Sequence, residues 1–198
     1  MNLSDSSIHV VKLGGSLLDL PDVFDRFDRW CDREAISRGV LIVGGGAAAD
    51  AVRAFDRVHD VGEVKGHELA VEAMRFNTLM VAARLARCRL VECAAECDDA
   101  WGMGEIAVVE PVRWLDGDDS VPRRWTFTSD SIAAHVATRL SADRLTLLKS
   151  TLPEKECGVS CAVGLGIVDE DFEVASAAVG RIELLNLRDD AMPACALK

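Results

Sequence analysis

Two short apolar runs that each end in adjacent glycines constrain the fold of this chain more than any other feature. The first run is Ile8 to Leu13, followed by Gly14 and Gly15, and the second is Val40 to Val43, followed by three more glycines. Short continuous runs rich in β-branched residues are typical of strands in parallel sheets, where both faces are buried. We therefore expect two buried strands, each ending in a turn whose backbone can approach a ligand closely.

Helical patterns separate these runs from further strand-like segments. Apolar residues recur at helical spacing after Pro21, from Ala47 to His59 and from Gly66 to Arg87, and a fourth helix is predicted to end at Leu140. Further strands are predicted at Leu90–Val91, within 106–115, at Arg144–Lys149 and at Ile182–Leu187. Strands that alternate with helices predict an α/β fold, a three-layer α-β-α sandwich with a mainly parallel central sheet.

The longest predicted helix has a regular apolar stripe. Its members follow one another at intervals of three or four residues: Leu69, Ala73, Phe76, Met80 and Ala83. A stripe of this kind is typical of the face that a helix packs against the core.

Length and charge limit the classes of protein that fit. The chain has 198 residues, which indicates a single domain over residues 1–198. A formal net charge of −11 argues against a nucleic-acid partner, because binding to a phosphate backbone needs clustered Lys and Arg. No apolar run reaches the roughly 18 residues that a membrane span needs, so we expect no membrane partner.

The cysteines and the first residues of the chain suggest where it acts. The N-terminal segment lacks the basic flank and apolar stretch of a signal peptide, so we expect a cytoplasmic protein with reduced thiols. Cys93 with Cys97, and Cys157 with Cys161, have a C-x₃-C spacing that is not the usual one for zinc. We interpret them as small buried hydrophobic residues, and we predict no metal ligands.

The first candidate site is Lys12 with Gly14, Gly15 and Ser16. Glycines after a strand can turn their backbone N–H groups toward an anion, and a neighbouring lysine supplies a positive charge for a phosphate. A lysine at the end of a buried strand is unfavourable unless an anion meets it. The alternative is an ordinary turn beside a lysine that reaches solvent.

The second candidate site is the glycine turn Gly44, Gly45 and Gly46. With Ala49 it matches G-x-G-x-x-A, a weak form of the dinucleotide-binding fingerprint. The acidic residue expected at the end of the next strand has no good counterpart, which argues against a dinucleotide. The pattern of a P-loop occurs nowhere in the sequence.

The third candidate site lies between Thr126 and Lys149. Hydroxyl groups and Asp130 stand at a predicted helix start, where N–H groups are free, although a plain N-cap would look the same. Lys149 closes the strand that follows, as Lys12 closes the first. Two strand-end lysines with an aspartate between them are suited to hold a phosphoryl group during its transfer.

Four motifs in this order resemble the amino acid kinase superfamily, which includes acetylglutamate, aspartate, uridylate and isopentenyl phosphate kinases. The motifs are KLGGS, VGGGAAAD, FTSDSIAAHVA and LLKS, and the resemblance covers nearly the whole chain. In its short length the chain is similar to the kinases of methanofuran synthesis, which phosphorylate an aminomethylfuran phosphate to its diphosphate. The segment Gly66 to Leu85 resembles their acceptor-side helix.

The resemblance implies an amino acid kinase fold and a role for each motif. Lys12 is expected to bridge the ATP phosphates and the transferred group, and Asp130 to orient the lysines. The residues expected to bind the nucleotide and its phosphates are Gly14, Gly15, Ser16, Ser150 and Asp169. The residues expected on the acceptor side are Gly44, Gly45, Gly46, His67, Asn77, Thr128 and Ser129. For His67 and Asn77, ordinary polarity of a helix surface is an equal alternative.

The chain also departs from the family pattern at two places. Thr151 to Glu154 stands where many relatives have a short D-G turn, and the G-M-x-x-K segment that supplies a second catalytic lysine in acetylglutamate kinases is absent. We hypothesise that Lys149 supplies the missing charge.

These observations predict an ATP- and Mg²⁺-dependent phosphotransferase of one-carbon metabolism that acts on a small-molecule phosphate monoester, such as an aminomethylfuran phosphate-like compound. One alternative is a carboxylate kinase that forms an acyl phosphate, and another is a non-catalytic relative that binds a small molecule. From the family we expect a homodimer or a higher homo-oligomer.

Overall fold

A computed structural model describes residues 7–198 and contains one seven-stranded sheet within them. Its strands are β1 (Ile8–Leu13), β2 (Arg38–Val43), β3 (Cys88–Val91), β4 (Ile106–Val109), β5 (Arg144–Lys149), β6 (Arg181–Asn186) and β7 (Ala194–Ala196). The α-helices are α1 (Val23–Arg33), α2 (Gly46–His59), α3 (Glu63–Arg84), α4 (Ala95–Gly102), α5 (Pro111–Trp114), α6 (Ser129–Arg139), α7 (Val159–Gly164) and α8 (Phe172–Ala175). The predicted α/β class is confirmed.

Strand β1 lies at the point where the order in which the chain adds strands to the sheet reverses. The order is β3-β4-β2-β1-β5-β6-β7, and every neighbouring pair is parallel except β6 with β7. The chain runs outward from β1 through β2 on one side and later returns to pair β5 on the other. In open parallel sheets the crevice for ligands lies beyond the carboxyl ends of the strands at such a switch. Both glycine turns follow strands that end there.

Two apolar cores, one on each face of the sheet, form the three layers. Val11 and Leu13 belong to the core that contains Phe27 and Trp30 of α1, whereas Val10 belongs to the core that contains α6. Successive side chains of a strand point to opposite faces, so Lys12 lies on the same face as Val10. This alternation directs Lys12 toward α6.

The predicted packing face of α3 is wrong. Phe76 is 58% exposed and Met80 46% exposed, and Leu69 is exposed as well. The buried face instead carries small, polar and apolar residues together: Gly66, His67, Val71, Ala73, Met74, Asn77, Thr78 and Val81. The prediction fails because it relied on large apolar residues alone. The face of α3 that packs against the protein also carries polar groups, among them His67 and Asn77.

Several short elements and thiol environments also differ from the predictions. Helices α4, α7 and α8 and strand β7 were not predicted, and the strand within 106–115 ends at Val109 because Pro111 starts α5. Cys97 is buried, as predicted for the C-x₃-C pairs, but Cys93 and Cys161 are exposed.

None of the helices in residues 7–198 has the length and apolar character needed to cross a membrane.

Candidate functional site

Two lysines from neighbouring strands meet one aspartate at the carboxyl edge of the sheet. Lys12 Nζ at the end of β1 lies 3.0 Å from Asp130 Oδ1, and Lys149 Nζ at the end of β5 lies 2.6 Å from Oδ2. Asp130 stands in the first turn of α6. The structure thus brings together the three residues that the sequence had marked as a catalytic group, across more than a hundred positions of chain.

This cluster is buried, and its two cations share one contacting carboxylate. Lys12 and Asp130 are each 5% exposed. Burial opposes ionisation of Asp130, but the ammonium groups of Lys12 and Lys149 hold its pKa at about 2. Burial lowers the pKa of Lys149, and the carboxylate of Asp130 counteracts part of that effect. Asp130 is thus the one carboxylate among the described residues in ion-pair contact with both lysines, whereas Asp169 acts on Lys149 only at longer range. Two cations that share one contacting carboxylate are suited to receive an anion.

The two glycine turns pack directly on each other beside this cluster. A Cβ added to Gly15 would lie 2.2 Å from the backbone nitrogen of Gly46, and one added to Gly46 would lie 2.5 Å from the carbonyl oxygen of Gly15. Gly46 also has a positive φ of 46°, which favours glycine. The glycines are thus required for the contact between the turns, a requirement that each motif by itself does not reveal.

Asn77 of α3 holds the second glycine turn, residues 44–46, by hydrogen bonds to its backbone. Its buried Nδ2 donates hydrogen bonds to the carbonyl oxygens of Gly44 and Gly45, both at 2.8 Å. The amide donors are therefore committed to the backbone, and the direct acceptor contact suggested for Asn77 stays a prediction. What the structure shows is that α3 fixes the position of the turn.

Asp169, rather than a residue of α6 itself, satisfies the start of that helix. Its carboxylate accepts hydrogen bonds from the backbone N–H groups of Thr128 at 3.1 Å and Ser131 at 3.0 Å, and from both hydroxyl groups. Thr128 is the N-cap position, but its side chain makes no capping bond. Neither Ser129 nor Asp130 is therefore the N-cap, and Asp130 is left free to meet the lysines. The nucleotide contact of Asp169 stays a prediction.

The other predicted phosphate-side residues lie at the same edge. Ser16 Oγ is 3.4 Å from Ser150 Oγ, which places the first turn beside the end of β5. Gly14 N donates to the carbonyl oxygen of Leu148 at 2.9 Å.

Sequence reasoning missed Arg188, which comes shortly after β6. Its guanidinium donates to the carbonyl oxygen of Ser16 at 2.9 Å and pairs with Asp19. A cation just beyond a strand was the signal that identified Lys12 and Lys149, and it was available for Arg188 as well.

A cavity opens beside the cluster, next to the second glycine turn. This inner cavity has a volume of about 110 Å³, and its walls include Gly45, Gly46, His67, Phe127, Thr128 and Ser129. It reaches the residues that directly precede Asp130. Of the residues suggested for the acceptor, the structure brings Gly45, Gly46, His67, Thr128 and Ser129 to one cavity.

A second, larger depression adjoins the inner cavity. This outer groove, of about 560 Å³, lies between α3 and the segment 112–123, and His67 and Val71 line both spaces. A ligand in the inner cavity that is longer than that cavity would extend past His67 into the groove.

The carboxylates of the cluster are already engaged. Asp130 pairs with two lysines, and Asp169 accepts from α6. Across the described residues, no group of three or more His, Cys, Asp or Glu side chains is arranged to hold a metal ion. A magnesium ion here would therefore take most of its oxygen ligands from nucleotide phosphates and water.

Comparison with known proteins gives relatives that are consistent with this geometry. Residues 7–151 match the family model described as the amino acid kinase family. Over 134 residues the chain is 26% identical to [5-(aminomethyl)furan-3-yl]methyl phosphate kinase of Methanocaldococcus jannaschii, an alignment that covers 67% of this chain and 61% of that protein. The chain therefore spans less than two thirds of this curated relative.

Solved structures share the fold at low sequence identity. Uridylate kinase from Archaeoglobus fulgidus superposes with a TM-score of 0.61 at 14% identity, covering 89% of this chain and 88% of that one. UMP kinase from Bacillus anthracis gives 0.66 at 12% identity, covering 93% and 88%. The family match extends over most of the chain, from β1 to just beyond the end of β5, and includes all three residues of the buried charge cluster. This chain belongs to the amino acid kinase family.

Proposed function

We propose that this protein is an ATP-dependent phosphotransferase that adds a phosphoryl group to a small phosphate monoester. The observation that carries the proposal is the buried cluster in which Lys12 and Lys149 share the single carboxylate of Asp130. Two cations that share one contacting carboxylate favour an anionic ligand, and the cluster stands where both glycine turns end.

The chemistry assigned to the cluster is in-line transfer. An oxygen of the acceptor phosphate forms a bond to the terminal phosphorus of ATP, while the bond from that phosphorus to its bridging oxygen breaks and ADP leaves with the electron pair. Lys12 and Lys149 neutralise the charge that spreads over the transferred group, and Asp130 holds both ammonium groups in place. Mg²⁺ bound together with ATP would supply further charge neutralisation.

The acceptor side favours a phosphate monoester with a small flat body. Met74 and Phe127 give the inner cavity apolar and aromatic walls, and its volume of about 110 Å³ is suited to one small ring. The Methanocaldococcus relative is named for a furan-based phosphate, and we propose a compound of that kind for this chain.

Two other functions compete with this one. A carboxylate kinase would use the same cluster to make an acyl phosphate. A non-catalytic binding protein is favoured by the absence of the second lysine motif, but the pairing of Lys149 with Asp130 at 2.6 Å supports a catalytic site, because it provides a second cation beside Lys12.

We also propose that the protein acts as a homodimer in the cytoplasm. Helix α3 exposes Leu69, Phe76, Leu79 and Met80, and an apolar helix face is commonly covered by a second subunit. Light scattering of the purified chain tests the dimer: a monomer at micromolar concentration contradicts it.

The proposed activity is tested by incubating the protein with Mg²⁺, ATP and 4-methylbenzyl phosphate, or with N-acetylglutamate in its place, and following the products by phosphorus NMR. We expect ADP and a diphosphate from the first mixture. An acyl phosphate from the second mixture would support the carboxylate kinase, and no ADP from any acceptor would favour the binding protein.

A further inference from the structure

His67 stands at the junction of the inner cavity and the outer groove with one ring nitrogen uncommitted. The residue is 5% exposed, and its Nδ1 lies 3.1 Å from the carbonyl oxygen of Arg124. A carbonyl oxygen only accepts, so Nδ1 must carry the hydrogen of this bond. Within residues 7–198, Nε2 has no hydrogen-bond partner.

The charge state of the ring follows from its surroundings. Burial lowers the pKa of His67, although the bond to the carbonyl of Arg124 counteracts part of this effect. A neutral ring with its hydrogen on Nδ1 leaves a lone pair on Nε2. The ring is therefore fixed as a hydrogen-bond acceptor at a place where both cavities meet.

The groove beyond His67 favours a cation at this position. Glu72 on α3 lies 3.9 Å from Arg75, but Arg75 lies much closer, at 2.7 Å, to Glu110. Asp116 on the opposite wall has no ion-pair partner among the described residues. Glu68, in contrast, is held by Lys65 at 2.7 Å and by Arg123 at 3.1 Å. Two carboxylates of the groove thus lack a close counter-ion.

We propose that His67 determines acceptor specificity by accepting a hydrogen bond at Nε2 from a protonated amine at the far end of the acceptor. The inference rests on the proposed function, since it assumes that the phosphate end of the ligand lies at the glycine turn. In this arrangement the body of the ligand fills the inner cavity, and its ammonium group enters the outer groove near Glu72 and Asp116.

Two probes that differ in one group test the proposal. The first is 4-(aminomethyl)benzyl phosphate, and the second is 4-methylbenzyl phosphate, which has nearly the same shape but no donor. Titration calorimetry without ATP should give a dissociation constant about tenfold lower for the amine, because one charge-assisted hydrogen bond is worth roughly that factor. Equal affinities, or no binding of either probe, would overturn the proposal.

Variants of His67 assign the preference to its ring. His67→Phe removes the acceptor nitrogen and should lower the methyl-to-amine ratio of KM from about ten to about one, whereas His67→Gln, with an amide oxygen, should restore part of the ratio. His59→Phe on the exposed end of α2 is the matched control, and it should keep the ratio of the unmodified protein. An amine preference that survives in His67→Phe contradicts the assignment.

The experiments distinguish a failure of the proposed kinase activity from a failure of the role proposed for His67. Tight binding of the amine without any transfer from ATP would refute the kinase and leave the role of His67 standing. Transfer to both probes with equal KM would support the kinase and refute the role of His67.

Discussion

The two faces of strand β1 carry buried polar networks of opposite kinds. On the α1 face, His9 Nε2 lies 2.8 Å from the hydroxyl of Thr146, which in turn donates to Glu183 at 2.8 Å. Arg144 pairs with Glu183 and Glu34, and Arg181 lies 3.6 Å from Glu183. On the α6 face, Lys12 and Lys149 share Asp130.

The difference lies in the balance of charge. In the network around Arg144, Glu34 and Glu183 both face Arg144, and the other arginines that pair with them, Arg33 and Arg181, are more than half exposed to solvent. His9 stays neutral, because burial and the nearby Arg144 and Arg181 lower its pKa to about 3. In the cluster around Asp130, two lysines share one contacting carboxylate, and the nearby Asp169 is held by hydrogen bonds from α6. A buried network that only supports the fold is expected to balance its charges internally, whereas one that binds a ligand keeps an excess of the opposite sign.

The largest expected effect comes from removing the shared carboxylate. Asp130→Asn leaves two buried ammonium groups without a counter-ion, so the free energy of unfolding should fall by about 3 kcal/mol. The rate of phosphoryl transfer per folded molecule should fall roughly 1000-fold. Denaturant titration and steady-state kinetics measure the two quantities.

Glu183→Gln, in the network around Arg144, is the matched variant. It should lower the free energy of unfolding by a similar amount, about 3 kcal/mol, because it also breaks a buried ion pair. Its rate per folded molecule should not change. A comparable loss of rate in both variants would remove the distinction between the networks.

Removal of the Lys149 ammonium group should lower the rate of transfer strongly while changing the stability of the protein only slightly. Lys149→Met leaves Asp130 paired with Lys12 alone, so the free energy of unfolding should change by no more than about 1 kcal/mol. The rate of transfer should fall roughly 100-fold, because the charge on the transferred group loses one of its two lysines. Full activity of this variant would show that Lys149 does not replace the missing family lysine.

A packing change at the wall of the inner cavity should affect acceptor binding. A Cβ added to Gly66 would lie 2.2 Å from Cζ2 of Trp125, which lines that cavity. Gly66→Ala should therefore displace the indole and raise KM for the acceptor about tenfold. Gly102→Ala has no heavy atom within 4 Å of the added carbon, and it serves as the control.

The network around His9 should also make the stability of the protein depend on pH. The pKa of His9 is about 3 in the folded state, against 6.5 for the ordinary side chain. The unfolded chain therefore binds one more proton between these values, and stability is lost as the pH falls below about 6.5. From pH 7 to 5 the free energy of unfolding should fall by about 2 kcal/mol more than in His9→Gln. Identical pH profiles of the two proteins would contradict this neutral role.

The strands and the charge cluster could be predicted from the sequence because both follow from the alternation of side chains in a strand. Val10 and Lys12 share a face, as do Leu147 and Lys149, so two strand-end lysines were certain to face one layer of helices once the strands were parallel. The loop aspartate Asp169 was different, since its role as the cap of α6 depends on a tertiary contact with no local pattern.

The face of α3 shows why the cavity could not be predicted. Its buried side contains Gly66, His67 and Asn77, each of which serves a partner elsewhere in the fold: the ring of Trp125, the carbonyl of Arg124 and the second glycine turn. The exposed side also carries large apolar residues, Leu69, Phe76, Leu79 and Met80, so apolar side chains lie on both sides of the helix. Hydrophobic periodicity identifies the face that avoids water in isolation, so it fails for a helix whose inner side forms a polar site.

The most direct test of the role of Lys12 and Lys149 is calorimetric titration of Mg²⁺·ATP into the unmodified protein, Lys149→Met and Glu183→Gln. We expect the unmodified protein and Glu183→Gln to bind with dissociation constants below about 1 mM, and Lys149→Met to bind at least about tenfold more weakly. Absence of binding to the unmodified protein at several millimolar nucleotide (about 5 mM), or equal affinity in Lys149→Met, would contradict a nucleotide-binding role for the buried lysine pair.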